Sequence, residues 1–174
     1  MTVRRVVPYP ARILKGIAGP VGAIGPRERA LAQDLVDTMY ASPGCVGLAA
    51  PQIGVASRAF AMDVSVMRKP PTGNHGLVVL FDPELVLASG SEIKREGCMS
   101  VPDFTCDIRR ATEVVVRGTT PEGEVRVLEA SGFEARALQH ELDHLDGLLV
   151  LDRVAARADV FPRKRRAKPG QHLR

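Results

Sequence analysis

Apolar or small side chains recur at helical intervals between residues 131 and 147, at Phe133, Ala137, Leu138 and Leu145. Ser131 and Glu134 precede them with the spacing of a capping box and Gly147 follows, so a helix over about 131–147 is predicted. A second amphipathic stretch opens at Pro26, carries Leu31, Leu35, Val36 and Met39 on one side, and stops before Pro43-Gly44. It reads as a helix that covers the core. Elsewhere the apolar runs are short or alternate. Ala59 to Val64 and Leu77 to Phe81 read as strands joined by a polar stretch from Met67 to Gly76, and Thr112 to Arg117 pairs with Glu124 to Leu128 across Pro121-Glu-Gly123.

The helix predicted over 131–147 carries His140-Glu141-Leu142-Asp143-His144. Four residues at 3.6 per turn bring the second imidazole back above the first, so both reach one ion, with the Glu141 carboxylate beside them as a base. Two histidines leave a catalytic ion short of one protein ligand. An extended metallopeptidase pattern wants a histidine three residues after Gly147, where Val150 stands; no glutamate follows His144, and the one later histidine, His172, is in a charged end. The third ligand is therefore sought upstream. The best candidate is Cys98 in Arg-Glu-Gly-Cys-Met-Ser-Val-Pro, where Gly97 permits unusual backbone geometry and Pro102 stiffens the exit. A thiolate there completes a Cys-His-His site with one open position. A third stretch, Cys45 to Gly54, is small enough for backbone to approach a ligand and has Gln52 as its one polar side chain. Read alone, it is equally a turn from a helix into a strand.

Together, in this order and spacing, the three stretches resemble the motifs of peptide deformylases: a Gly-rich Leu-Ala-Ala run ending in Gln, Glu-Gly-Cys-Leu-Ser, and Gln-His-Glu-x-Asp-His. The likeness runs from about Val6, through Asp34 to Tyr40 and a turn at Asp82-Pro-Glu-Leu, to Asp152. The resemblance implies a single α+β catalytic domain over 1–152, with antiparallel sheets wrapped around a central metal-binding helix that carries the His-Glu-x-x-His motif. It implies removal of the formyl group from the initiator methionine of nascent chains, releasing formate. Carried over residue by residue, it makes Cys98, His140 and His144 metal ligands and Glu141 the acid/base. It makes Gln52 and the Met99 backbone N–H the oxyanion donors, and Val46, Gly47, Leu48, Phe133 and Ala137 the substrate-binding residues. The implied cofactor is one divalent ion, Fe2+ in the cell, with Zn2+, Ni2+ or Co2+ in isolated protein.

Four positions depart from the family pattern. Cys45 replaces a usual glycine and puts an oxidisable thiol near the cleft, while Met99 replaces leucine with little change of volume. Thr105 stands where many members carry an arginine that holds the peptide backbone. Arg136 stands where an aliphatic residue is usual; its head is expected to reach solvent over a packed stem, the alternative being an altered pocket. Thr105 and Arg136 motivate a second reading, a paralogue that deformylates another small molecule or peptide. Asp143 and Gln139 flank the ligands and are candidates to orient an imidazole, with a solvent-facing Asp143 equally expected. A purely structural metal site would close with a fourth ligand and has no use for Glu141 or Gln52.

Composition narrows the setting. The chain has 174 residues, 45% of them hydrophobic, enough for one core. No apolar run approaches twenty residues, so no membrane span is expected. Three cysteines, an odd number, point to a reducing compartment, a bacterial cytoplasm, without disulfides. The first acid is Glu28, which superficially resembles a transit peptide, but the likeness beginning near Val6 leaves no room for a leader. Residues 153–174 hold eight Lys/Arg against one Asp, so the net +4 of the chain belongs to a basic end expected to be flexible. Arg163-Lys-Arg-Arg166 is a hypothetical contact to ribosomal RNA; with no aromatic residue interleaved, sequence-specific nucleic-acid binding is not expected.

Overall fold

The computed structural model describes residues 2–163. In chain order the elements are α1 (Pro26–Ala41), β1 (Gly47–Ala49), β2 (Ala59–Met62), β3 (Val78–Ser89), β4 (Glu92–Cys98), β5 (Val101–Arg110), β6 (Glu113–Thr119), β7 (Val125–Ser131), α2 (Gly132–Leu145) and β8 (Val160–Pro162). They form two antiparallel sheets, ordered β1-β2-β3-β6-β7 and β4-β5-β8, an α+β architecture. Among the described residues no helix is long and apolar enough to cross a membrane.

The larger sheet is covered on both faces at β2, whose four residues are all buried. Phe60 and Met62 point to α2 and join Leu138, Leu142 and Leu145 with Val116 and Leu128. Ala59 and Ala61 point the other way, to Leu35 and Met39 of α1. The period-two alternation of the strand thus splits one short apolar run between two cores. Each fully buried leucine contributes roughly 1.5–3 kcal/mol, and these fix α2 across the sheet. A third core holds the smaller sheet, where Cys106 and Ile108 of β5 meet Leu14, Leu149 and Val150. Cys98, at the end of β4, belongs to this core and lies 3.3 Å from His144 of α2, so that helix and the smaller sheet meet beside it.

Three expectations change and one holds. Asp82-Pro-Glu-Leu does not reverse the chain: β3 continues to Ser89 through a register shift between Phe81 and Glu84. Asp82 takes φ 46°, tolerable for Asp because its carboxylate accepts the Val21 and Gly22 N–H groups at 2.8 Å each. At the head of α2, Ser131 is the N-cap without a side-chain bond, and Glu134 is buried, accepting from the backbone N–H of His75 at 2.9 Å and contacting its Nδ1 at 3.0 Å. The capping box fails because a tertiary partner claims the carboxylate. Gly147 does end the helix, at φ 72° with Leu148 N–H donating to Asp143 O, and a Cβ there would stand 2.8 Å from Lys15 O. Finally, the basic end is ordered as far as described, because apolar Val160 and Phe161 pair as β8 with β5. The rest of the run Arg163–Arg166 lies outside the described residues.

Candidate metal and catalytic site

Helical spacing brings His140 Nε2 and His144 Nε2 to 3.2 Å, and Cys98 Sγ lies 3.3 Å from His144 Nε2. All three ligand atoms fall within 4.8 Å of one another. Atoms bound to one ion at ~2.0–2.3 Å stand ~3.3–3.6 Å apart in tetrahedral geometry, so this donor set fits a divalent cation. Burial alone would push the Cys98 thiol up, but the charge of His144 and hydrogen bonds with both imidazoles override it and hold the thiol well below its usual value. A ligand thiol must lose its proton to hold an ion, and this environment favours that loss.

The carboxylate that faces a candidate ligand imidazole is Glu96, which sequence reasoning missed. Glu96 and Cys98 are two apart on β4 and both are buried. Glu96 Oε2 contacts His140 Nδ1 at 2.9 Å. Burial raises the Glu96 carboxyl, yet hydrogen bonds from His140 and Arg110 and the Arg110 charge outweigh it and bring it to about 2. An ionised Glu96 accepts the Nδ1 proton and leaves Nε2 free to bind metal. Arg110 donates to Glu96 at 2.9 and 3.0 Å and to Asp143 at 2.5 Å, and Arg153 also pairs with Asp143. Asp143 therefore serves this arginine pair and is buried, while Gln139 bonds the Ala111 backbone N–H and C=O. The signal for Glu96 was its period-two partnership with Cys98.

Arg136 overturns the solvent expectation. Its guanidinium is 4% exposed and donates to Glu96 Oε1 at 2.7 Å, Ile108 O at 3.0 Å and Glu92 O at 3.2 Å. Position 136 is one helical turn before His140, so its head meets the same buried carboxylate, and pairing offsets the cost of burial.

Glu141 is 3% exposed, and its Oε2 has no hydrogen-bond partner among the described residues. Burial lifts its carboxyl to about 7, the charges of His140 and His144 opposing and those of Cys98 and Glu96 adding. Gly47 makes room for it: a Cβ there would collide with Oε1 and stand 2.8 Å from Cδ. Gln52, 2% exposed, accepts the Ala49 N–H at 2.9 Å and points its amide nitrogen to Ser100 Oγ at 3.2 Å and Cys98 Sγ at 3.6 Å.

A cavity of about 260 Å³ joins these groups, lined by Gln52, Cys98, Met99, His140 and Glu141 and walled by Val46, Gly47, Phe133, Arg136 and Ala137. Leu48 is not among its walls: alternation along β1 turns it into the core beneath α1 with no exposure. Cys45 lines the cavity, but burial and then the Glu141 charge push its thiol up to about 12, so it stays protonated rather than reactive. All three cysteines are free and buried. Thr105 lies outside the lining, between Gly97 of β4 and Phe161 of β8.

Comparison with known proteins meets this geometry. The family described as Polypeptide deformylase matches residues 3–159. The peptide deformylase of Carboxydothermus hydrogenoformans is 44% identical over 166 residues, 95% of this chain and 100% of that protein. Among solved structures, the peptide deformylase of Thermotoga maritima superposes with TM-score 0.80 at 32% identity, covering 90% of this chain and 100% of that one. The Met-Ala-Ser-bound class I type b enzyme of Acinetobacter baumannii gives 0.81 at 34% identity, covering 88% and 99%. With the family matched over nearly the whole chain and the fold shared with solved members, this chain belongs to the peptide deformylase family.

Proposed function

We propose that this peptide deformylase holds its divalent ion with Cys98, His140 and His144 of its motif-bearing helix and β4, and uses Glu141 as acid/base. The observation that carries this is the convergence of the three ligand atoms beside a buried carboxylate whose Oε2 has no partner among the described residues. When bound, the ion makes water acidic enough to act as a nucleophile near neutral pH and polarises the formyl carbonyl. Glu141, lifted to about 7, is matched to accept the proton of the attacking water and return it to the departing amine. The amide C–N bond breaks, leaving formate and a free N-terminus. The Gln52 amide and the Met99 backbone N–H donate to the carbonyl oxygen as its charge grows. Val46, Phe133 and Ala137 take the methionine side chain. The Arg136 charge facing that pocket is tied to Glu96, which favours formylmethionyl peptides over a differently formylated compound.

The Cys-His-His set suits several divalent metals, and we assign Fe2+ in the cell. Buried free thiols support a bacterial cytoplasm. The basic end, described only as far as Arg163, is the proposed ribosome contact; deleting 164–174 should then weaken ribosome pelleting at low salt. The deciding experiment is formate release from N-formyl-Met-Ala-Ser by anaerobically prepared, iron-loaded protein, beside Glu141→Ala with its metal content measured. Release that disappears in the variant while metal stays bound supports the assignment. No release by the metal-loaded wild type, or full release by the variant, refutes it.

A further inference from the structure

Two guanidinium groups stand at the cavity rim, Arg95 from β4 and Arg163 just past β8. Arg95 is committed: it donates to both carboxylate oxygens of Asp107, at 2.5 and 3.0 Å, and lies 3.4 Å over the Phe161 ring. Arg163 is anchored by its backbone, whose N–H donates to Asp103 O at 2.7 Å, and is exposed. Strand register sets Gly97, Thr105 and Phe161 in one row across the smaller sheet. Because residue 97 has no side chain, the Arg163 head folds back over it: a Cβ on Gly97 would collide with Nη2 and stand 3.2 Å from Cζ. Thr105 Cγ2 flanks the same spot at 3.5 Å, and its short side chain leaves the volume open. The last described residue of the basic end is thus delivered to the mouth through which a peptide must leave the site.

We propose that Arg163 is a substrate-positioning residue, which donates its guanidinium N–H groups to main-chain carbonyl oxygens of the peptide beyond formylmethionine. This rests on the site assignment above. A peptide backbone entering the cleft brings carbonyl acceptors past the rim, and a guanidinium offers five donors in a fixed fork. The contact is made equally before and during the chemical step, so it acts on binding.

The test compares wild type, Arg163→Ala and Arg163→Lys as iron-loaded proteins on N-formyl-Met-Ala-Ser and on N-formylmethioninamide, which lacks the downstream carbonyls. A charge-assisted hydrogen bond of ordinary strength gives about a tenfold effect. The expected result is a KM about tenfold higher for the tripeptide in Arg163→Ala with kcat held, a tenfold fall in its preference over the amide, and partial recovery with lysine. Calorimetry with the product Met-Ala-Ser should show about tenfold weaker binding to Arg163→Ala, a readout independent of turnover. Equal changes on both substrates, an effect on kcat alone, or unchanged product binding overturns the proposal. A wild type that does not hydrolyse the tripeptide would instead overturn the site assignment.

Discussion

Replacing Glu96 by glutamine tests the buried network behind the proposed metal ligands. The carboxylate accepts two bonds from Arg110, one from Arg136 and contacts His140 Nδ1, all within 2.7–3.0 Å. Glutamine keeps the shape but loses the charge, and it turns an amide NH2 toward groups that only donate. The carboxyl falls from a usual 4.5 to about 2 on folding, and at ~1.4 kcal/mol per unit this corresponds to about 3 kcal/mol of stability at neutral pH. Breaking one side of a buried ion pair costs a similar 3–5 kcal/mol. The sign follows from the lowered value: this stability is complete above about pH 4.5 and is lost as pH falls from there through about 2. Urea unfolding of metal-free wild type and Glu96→Gln at stepped pH measures it without interference from ion release. The two should differ by about 3 kcal/mol at pH 7 and converge toward pH 2. A gap below 1 kcal/mol at pH 7, or one that persists to pH 2, refutes the reasoning. In metal-loaded protein the variant should also bind its ion roughly 10–100-fold more weakly, since Nδ1 loses the acceptor that fixes its tautomer.

Gly47→Ala places a Cβ 2.8 Å from Glu141 Cδ, so kcat should fall by about 10²-fold or more while metal content and Tm hold; a normal kcat would show that the carboxylate moves freely. Gln52→Ala removes one donor to the carbonyl oxygen and should lower kcat by about 10²-fold, close to 3 kcal/mol. Gly147→Ala combines φ 72° with a Cβ 2.8 Å from Lys15 O, and should cost at least 1–2 kcal/mol in urea unfolding, with a fall in Tm. The Cys45 thiol, raised to about 12, should alkylate far more slowly than a free cysteine at pH 8 in metal-loaded protein and speed up only as pH rises toward 12, read by peptide mass spectrometry.

Residues whose placement depends on local spacing were legible in the sequence. The ligand helix announces itself through apolar periodicity and Gly147, and the four-residue histidine spacing needs nothing beyond helical geometry. The nearness of Cys98 to the two imidazoles was reachable by elimination among few candidates. Leu48 fails for an equally local reason: adjacent strand residues face opposite ways, so the Gly47 that admits Glu141 sends Leu48 into the core. Glu96, Arg110 and β8 were hidden because their partners lie far along the chain, on α2 for the two charged residues and on β5 for the strand. Glu96 lies 44 residues from His140, and β8 shows itself by two apolar residues beside a basic run.

The same contact between α2 and β4 explains how an arginine fits at position 136. A lone guanidinium on the ligand side of α2 would repel the cation expected there and bear the full cost of burial. Here it shares Glu96 with Arg110, and the same carboxylate contacts His140 Nδ1. Residue 136 therefore shares the carboxylate that contacts His140. Arg136→Leu would leave Glu96 to Arg110 and His140, strengthening the hold of each, whereas leucine in a chain without the Glu96 charge would remove a guanidinium that has lost its nearest carboxylate. The Arg136→Leu and Glu96→Gln effects should accordingly be non-additive in a double-mutant cycle, the double variant being less destabilised than the two single changes together imply.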